Sequence, residues 1–306
     1  MSVLDRRLVE QVAGALATDE GLVEKDWHVV RALAVLAAVE HGEAAPAFAG
    51  GTSLSKGWGL IQRFSEDIDF KVAMPVGTSH TRARQQRSAY RVRILEALTA
   101  EGFTAGTPMI GDASRFFSVD LTYPSLFSVG PSLRPHIRVE MSFHPPALPP
   151  MARPLQSLIA LAQRQPPEVS AFPCIDPVET AADKLSALTW RVLVRQRGAA
   201  GDDATIIRHL HDLAALTSTV ETAPAFATLV FQVAEADAGR GGGVLAASDP
   251  ATRFAQMIER LRSDRLWAAE YEAFVRQVSF AQPAERIGFD QALTAVVALV
   301  DRLGAG

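Results

Sequence analysis

Asp67 and Asp69 flank one apolar residue in Ser65-Glu66-Asp67-Ile68-Asp69-Phe70, and a glycine pair lies upstream in Gly50-Gly51-Thr52-Ser53. An extended chain sends alternate side chains to the same face, so the two aspartates should emerge together while Ile68 and Phe70 turn to a core. Carboxylates held side by side repel unless a cation sits between them. Magnesium suits that place, because it takes hard oxygen ligands and usually binds through one or two carboxylates plus substrate phosphates. The turn from Gly50 through Ser53 offers backbone N–H donors at a helix start to such phosphates, with Thr52 and Ser53 just behind the glycines. Lys56 and Arg63 follow closely enough to add positive charge. The chemistry indicated is nucleotidyl transfer, in which two metal ions about 3.5 to 4 Å apart can serve both the entering and the leaving oxygens.

A metal pair held by two acids of one strand needs a third from a neighbouring strand. Glu140 in Val139-Glu140-Met141 and Asp120 in Val119-Asp120-Leu121 have the same context, and position alone does not choose between them. Glu140 is carried forward with Asp67 and Asp69 as the expected metal set.

The elements that must position these residues can be sketched from periodicity. Apolar residues recur at helical spacing from Asp5 to His41; Ala47-Phe48-Ala49 reads as a strand running into the glycine turn; and Thr52 or Ser53 would cap a short helix to Leu60. A strand around 67–72 follows, then a helix from about Ser79 to Glu101, then strands over 116–123 and 137–143. Prolines crowd 145–173 and mark a connector containing a short helix near 155–164. Asp176-Pro177-Val178-Glu179 is a helix-start signal. Beyond it the chain reads as helical, over about 177–196, 204–217, 223–236, 250–261, 266–278 and 289–303, with Arg240-Gly241-Gly242-Gly243 as a flexible loop. The expected organisation is α/β (α+β): a core with a mixed sheet and N-terminal helices over 1–150, a proline-rich connector over 151–175, and a helical domain over 176–306.

Composition narrows the function classes. The 306 residues are 48% hydrophobic and carry a formal charge of −4, which argues against nonspecific coating of nucleic acid, since counterion release rewards a basic excess. A local patch remains: residues 80–93 hold five arginines and no acid, with Arg84, Arg87 and Arg91 at helical spacing, fit either to track a phosphate backbone or to face solvent. No apolar run is long enough for a membrane span, and the first residues lack the order of a signal peptide. The single cysteine, Cys174, excludes an internal disulfide and a cysteine-based zinc site and fits a reducing cytoplasm. Neither GxSxG nor GxxxxGK[ST] occurs.

Several segments taken together carry a family likeness: Glu24-Lys25-Asp26-Trp27, Ala49-Gly50-Gly51-Thr52-Ser53-Leu54-Ser55-Lys56, Asp67-Ile68-Asp69, Glu179-Thr180-Ala181-Ala182-Asp183-Lys184-Leu185-Ser186-Ala187-Leu188 and Arg208-His209-Leu210-His211-Asp212-Leu213. In this order they resemble the AbiEii/AbiGii-type toxins, a family that includes the MenT toxins and falls within the polymerase-β-like nucleotidyltransferases. The resemblance covers about residues 20–215. It implies Ser53 at the phosphate-binding turn, Asp67 and Asp69 at the metals, and Lys184 and Asp212 as further catalytic residues from the helical part. It also implies Mg2+, NTP as substrate, transfer of NMP to an RNA acceptor such as the tRNA 3′ end, and a cognate antitoxin encoded next door. His209 stands where many relatives carry an acid, which leaves Asp212 as the acid of that segment. The same site could serve a small-molecule or protein hydroxyl, and a catalytically inactive binding module is the third reading.

Overall fold

The computed structural model describes residues 4–128 and 134–304, and the chain divides into two compact units, Met1–Asp176 and Pro177–Gly306.

The first unit is a sheet with helices on its apolar face. Helices α1 (Arg6–Leu16) and α2 (Glu20–Ala38) are separate: Ala17 is left-handed at φ 49°, and Asp19 caps α2 by accepting from Gly21 N at 2.8 Å. Among the described residues the strands are β1 (Ala45–Ala49), β2 (Asp67–Ala73), β3 (Thr104–Ala105), β4 (Met109–Gly111), β5 (Phe116–Thr122), β6 (Ile137–Ser142), β7 (Met151–Leu155) and β8 (Val169–Cys174). Their order is β3-β5-β6-β2-β1-β8-β7, with β4 on β5; the β2–β6 and β1–β8 pairs are parallel and the others antiparallel. Ile68, Phe70, Val72, Val119, Val139 and Met141 are buried in one core with Leu33 and Leu36 of α2 and with Tyr90, Ile94 and Leu98 of α4 (His80–Ala100). Period-2 alternation then leaves Asp67, Asp69 and Lys71 on the opposite face.

The proline-rich stretch 151–175 is not a connector. It supplies β7, the short helix α5 (Leu158–Ala162) and β8, all within the first unit. Its prolines are tolerated where they fall: β7 is the outermost strand and bulges between Arg153 and Leu155, around Pro154, while β8 meets β1 only at Phe48↔Cys174.

His28 on α2 gives this unit an acid-sensitive point. Its ring stacks on Tyr123 with centroids 3.8 Å apart, and burial, reinforced by Arg31, pushes its pKa down to about 3 although Glu24 Oε1 stands 4.0 Å away. The unfolded chain protonates near 6.5 and the folded unit does not, so stability should fall as pH drops below 6.5, by on the order of 2 kcal/mol at pH 5. Denaturant titrations at pH 7 and pH 5 should show this loss in the parent and its absence in His28→Phe. Equal losses in both would assign the acid limb to other groups.

The second unit is helical: α6 (Pro177–Val194), α7 (Arg208–Val220), α8 (Phe226–Ala236), α9 (Pro250–Ser263), α10 (Leu266–Val278) and α11 (Phe289–Leu303). Helix α6 packs against α7, α8 and α9, and its Leu185 and Leu188 are buried, as are Leu213, Phe254, Met257, Tyr271 and Val296. The segment expected as a glycine loop is instead wound into 3-10 turns over Asp237–Ala247, with Gly243 at φ 79°.

Candidate active site

Register brings the turn and the acids together in the first unit. Ala49, the last residue of β1, pairs with Asp69, and Asp69 pairs in turn with Glu140 of β6, so the two carboxylates leave the same face of adjacent strands. Gly50 follows at φ 72°, and a side chain there would overlap the Asp69 carboxylate, so both its conformation and its contact demand glycine. A Cβ on Gly51 would meet Arg63 Nη2 at 2.7 Å and Ser65 Oγ at 2.9 Å. Arg63 thus lies buried against the turn, with Nη1 donating to Phe64 O at 2.9 Å.

The short helix α3 (Gly50–Lys56) starts at the turn itself, not at Thr52 or Ser53, and no side chain caps it. Its first N–H groups therefore have no intrahelical acceptor. Thr52 and Ser53 turn inward. The Thr52 hydroxyl donates to the Asp67 carbonyl and ties α3 to β2. Ser53 Oγ is buried without a well-formed hydrogen bond and faces the Cys174 thiol, whose pKa burial pushes up to about 11 against the lowering effect of that hydroxyl. What the turn can present to a ligand is thus backbone.

Lys56 does not join this group. It forms a buried ion pair with Asp26 of α2, and Asp26 Oδ2 also accepts from Leu158 N at 2.7 Å. Its neighbours on α2 are used in the same way. Glu24 accepts from Leu126 N at 2.7 Å, Phe127 N at 2.9 Å and Ser125 Oγ at 2.9 Å. Lys25 pairs with Glu66 and donates to Arg134 O at 2.5 Å; burial lowers its pKa, and Glu66 works against that lowering. Arg134 is a site residue that the sequence did not reveal. Its Nη1 donates to Asp67 Oδ1 at 2.7 Å and its backbone N to Glu66 Oε2 at 3.2 Å, yet no motif surrounds it.

The sheet separates the two candidates for a third acid. Asp120 accepts from Arg138 Nε at 2.8 Å and Nη2 at 3.2 Å and lies 3.4 Å from His136 Nε2; the Arg138 hydrogen bond depresses the Asp120 pKa and raises that of Arg138. Glu140 instead stands directly beside Asp69. Among the described residues, no three histidine, cysteine, aspartate or glutamate side chains are grouped to hold a metal. The donor chemistry of Asp69 and Glu140 nevertheless fits a hard divalent cation that draws its remaining ligands from water and phosphate, and Asp67, paired with Arg134, follows on the same face of β2.

In the second unit Lys184 of α6 and Asp212 of α7 form a buried ion pair, Nζ to Oδ2 2.7 Å, and His211 Nδ1 lies 3.4 Å from Asp212 Oδ1. The Asp212 side chain has no exposed surface. His209 is buried with neither ring nitrogen hydrogen-bonded among the described residues; burial first, and Lys184 next, hold it neutral.

A family model described as nucleotidyl transferase AbiEii toxin, type IV TA system, matches residues 31–295. The chain belongs to the AbiEii nucleotidyltransferase toxin family. AbiEii proteins are toxin components of toxin–antitoxin systems, and membership carries transferase chemistry with it. A similar solved structure is MenT4, a nucleotidyltransferase toxin from Mycobacterium tuberculosis H37Rv: 21% identical, covering 96% of this chain and 99% of that one, with a TM-score of 0.54. At that identity the likeness speaks for the fold alone. No curated protein compared with the chain matches it. No described helix is long and apolar enough to cross a membrane.

Proposed function

We propose that this AbiEii chain transfers NMP from an NTP to the 3′ end of an RNA acceptor, tRNA, with release of pyrophosphate, and that a cognate antitoxin restrains it in the cytoplasm. The observation that supports this most is the register Ala49↔Asp69↔Glu140, which sets an uncapped glycine turn against two carboxylates on one sheet face. Backbone N–H groups of Gly50 and Gly51 would receive the phosphates, and the Arg63 charge behind the turn would favour their binding. Asp69 and Glu140, joined by Asp67, would hold Mg2+, which when bound neutralises phosphate charge. Arg134 orients Asp67 through its hydrogen bond to Oδ1. The RNA hydroxyl oxygen bonds to the α-phosphorus as the bond from that phosphorus to the bridging oxygen breaks, and the hydroxyl proton leaves to water. Lys184 and Asp212 of the second unit are further catalytic residues on the strength of the family resemblance.

Purified protein given labelled NTPs, Mg2+ and total tRNA should label RNA 3′ ends, and Asp69→Ala should abolish labelling; persistence of the signal in that variant would refute the assigned site. Glu140→Ala should cost about 100-fold or more in rate, on the scale of removing a group that stabilises transition-state charge. Asp120→Ala should change the rate by less than about fivefold, because its carboxylate is committed to Arg138. The reverse ranking would make Asp120 the third acid.

A further inference from the structure

The side of α4 that meets the entry to β5 carries two buried arginines that no acid answers. Arg87 is 8% exposed and Arg91 6%, and their i, i+4 spacing puts the two guanidinium stems side by side. Arg91 Nη1 donates to Ser114 Oγ at 2.9 Å and Ser114 O at 3.3 Å, both neutral acceptors. Arg87 has no hydrogen bond or ion pair with any described residue, and its Nε is buried without an acceptor. The undescribed stretches contain no aspartate or glutamate. Nearby acids are engaged elsewhere: Asp112 with Arg115 and His144, and Glu43 with Gln86. Burial, then Arg87 and Arg84, lower the pKa of Arg91, with no carboxylate opposing them.

A pair of like charges out of water with no counterion is among the costliest arrangements a fold can keep. Here it comes with backbone strain. Asp112, Ala113 and Ser114 are three successive non-glycine residues in the left-handed region, at φ 45°, 48° and 72°, and Arg91 on Ser114 and Arg115 on Asp112 hold the turn. Exposed Arg82 and Arg84 continue the positive charge along the helix.

We infer that Arg87, Arg91 and Ser114 form a phosphate subsite that grips the backbone of the RNA acceptor at a distance from the reacting end. The anion site stands on its own geometry; that its ligand is the acceptor rests on the function proposed above. Two adjacent planar forks, continued by a row of exposed arginines, suit a polyanion, whereas a single carboxylate would satisfy only one of them. Ser114 lies four residues before Ser118, the register partner of Glu140, which limits the separation along the chain to about 14 Å.

The test measures binding, not chemistry: fluorescence anisotropy of the full chain with dye-labelled tRNA, without NTP, between about 50 and 200 mM salt. Arg87→Met should weaken binding about tenfold, the loss of one charge-assisted hydrogen bond, and make the log–log salt dependence shallower by about 0.7. It should also raise the thermal midpoint by a few degrees, because a buried, unanswered charge has gone. Arg87→Lys, which keeps the charge and loses the fork, should lower affinity while retaining the slope, and it serves as the readout if Arg87→Met fails to fold. A lower midpoint with unchanged RNA binding would overturn the inference in favour of a packing role. Polyglutamate displacing the RNA as well as unlabelled tRNA does would overturn it in favour of a protein partner. Inorganic phosphate stabilising the parent but not Arg87→Met, with RNA affinity equal in both, would reduce the site to one for free phosphate. RNA binding that behaves as expected in a protein that transfers no nucleotide would sink the proposed function and leave this site standing.

Discussion

Replacing Gly50 by alanine should abolish nucleotidyl transfer while leaving a folded protein. Two independent costs fall on that one methyl group. The residue sits at φ 72°, where a side chain costs roughly 1–2 kcal/mol, and the added Cβ would overlap the carboxylate of Asp69. Asp69 lies partly exposed at a sheet face, so it can swing away more cheaply than the turn can unwind. The expected stability loss is therefore about 2–3 kcal/mol, whereas the rate should drop by about 100-fold or more, because misplacement of a reacting group by about 1 Å already has that effect. Gly59 supplies the control: it is also left-handed, at φ 65°, but has nothing within 4 Å of a built Cβ, so Gly59→Ala should show the conformational cost alone. Similar rates in the two variants would show that the turn and Asp69 do not act together.

Asp212→Ala should produce the largest loss of stability in the second unit. It removes the carboxylate paired with the Lys184 ammonium, whose side chain is 8% exposed. Removing one partner of a buried pair typically costs about 3–5 kcal/mol, so the thermal midpoint of that unit should fall by on the order of 10 °C. Lys184→Met with Asp212→Leu removes both charges, and the double variant should recover most of the lost stability without recovering transfer. A double variant that transfers nucleotides normally would make the pair purely structural; one as unstable as Asp212→Ala would show that the pair is worth more than the apolar packing that replaces it.

How far the sequence could be read follows from the kind of signal each residue gives. Alternation in Asp67-Ile68-Asp69-Phe70 and the glycines before it were local signals, and both the strand and the turn lie where local rules put them. The helices of the second unit were legible for the same reason, since amphipathic period and caps act over a few residues. That Glu140 stands beside Asp69 while Asp120 is bonded to Arg138 follows from the pairing register, which is not a local property. Lys56 was read as a phosphate ligand from its distance along the chain, but its partner Asp26 lies on another helix. The prolines of 151–175 signal a connector, and it is the position of β7 at the sheet edge that makes Pro154 acceptable in a strand. Arg134 had no neighbouring pattern at all, because its role comes from two acids far away in sequence.

Glu24, Lys25 and Asp26 are consecutive on α2, so at 100° per residue they point in different directions, and each fastens a different segment: the 125–127 loop, the Glu66 edge of β2, and the Lys56 end of α3. One helical turn therefore works as a common anchor for parts of the chain that share no contact in sequence. Thermal opening of that turn would loosen all three together. Amide exchange in the loop, in β2 and in α3 should then follow a single opening free energy, and a ligand that grips any one of the three would slow exchange in the other two.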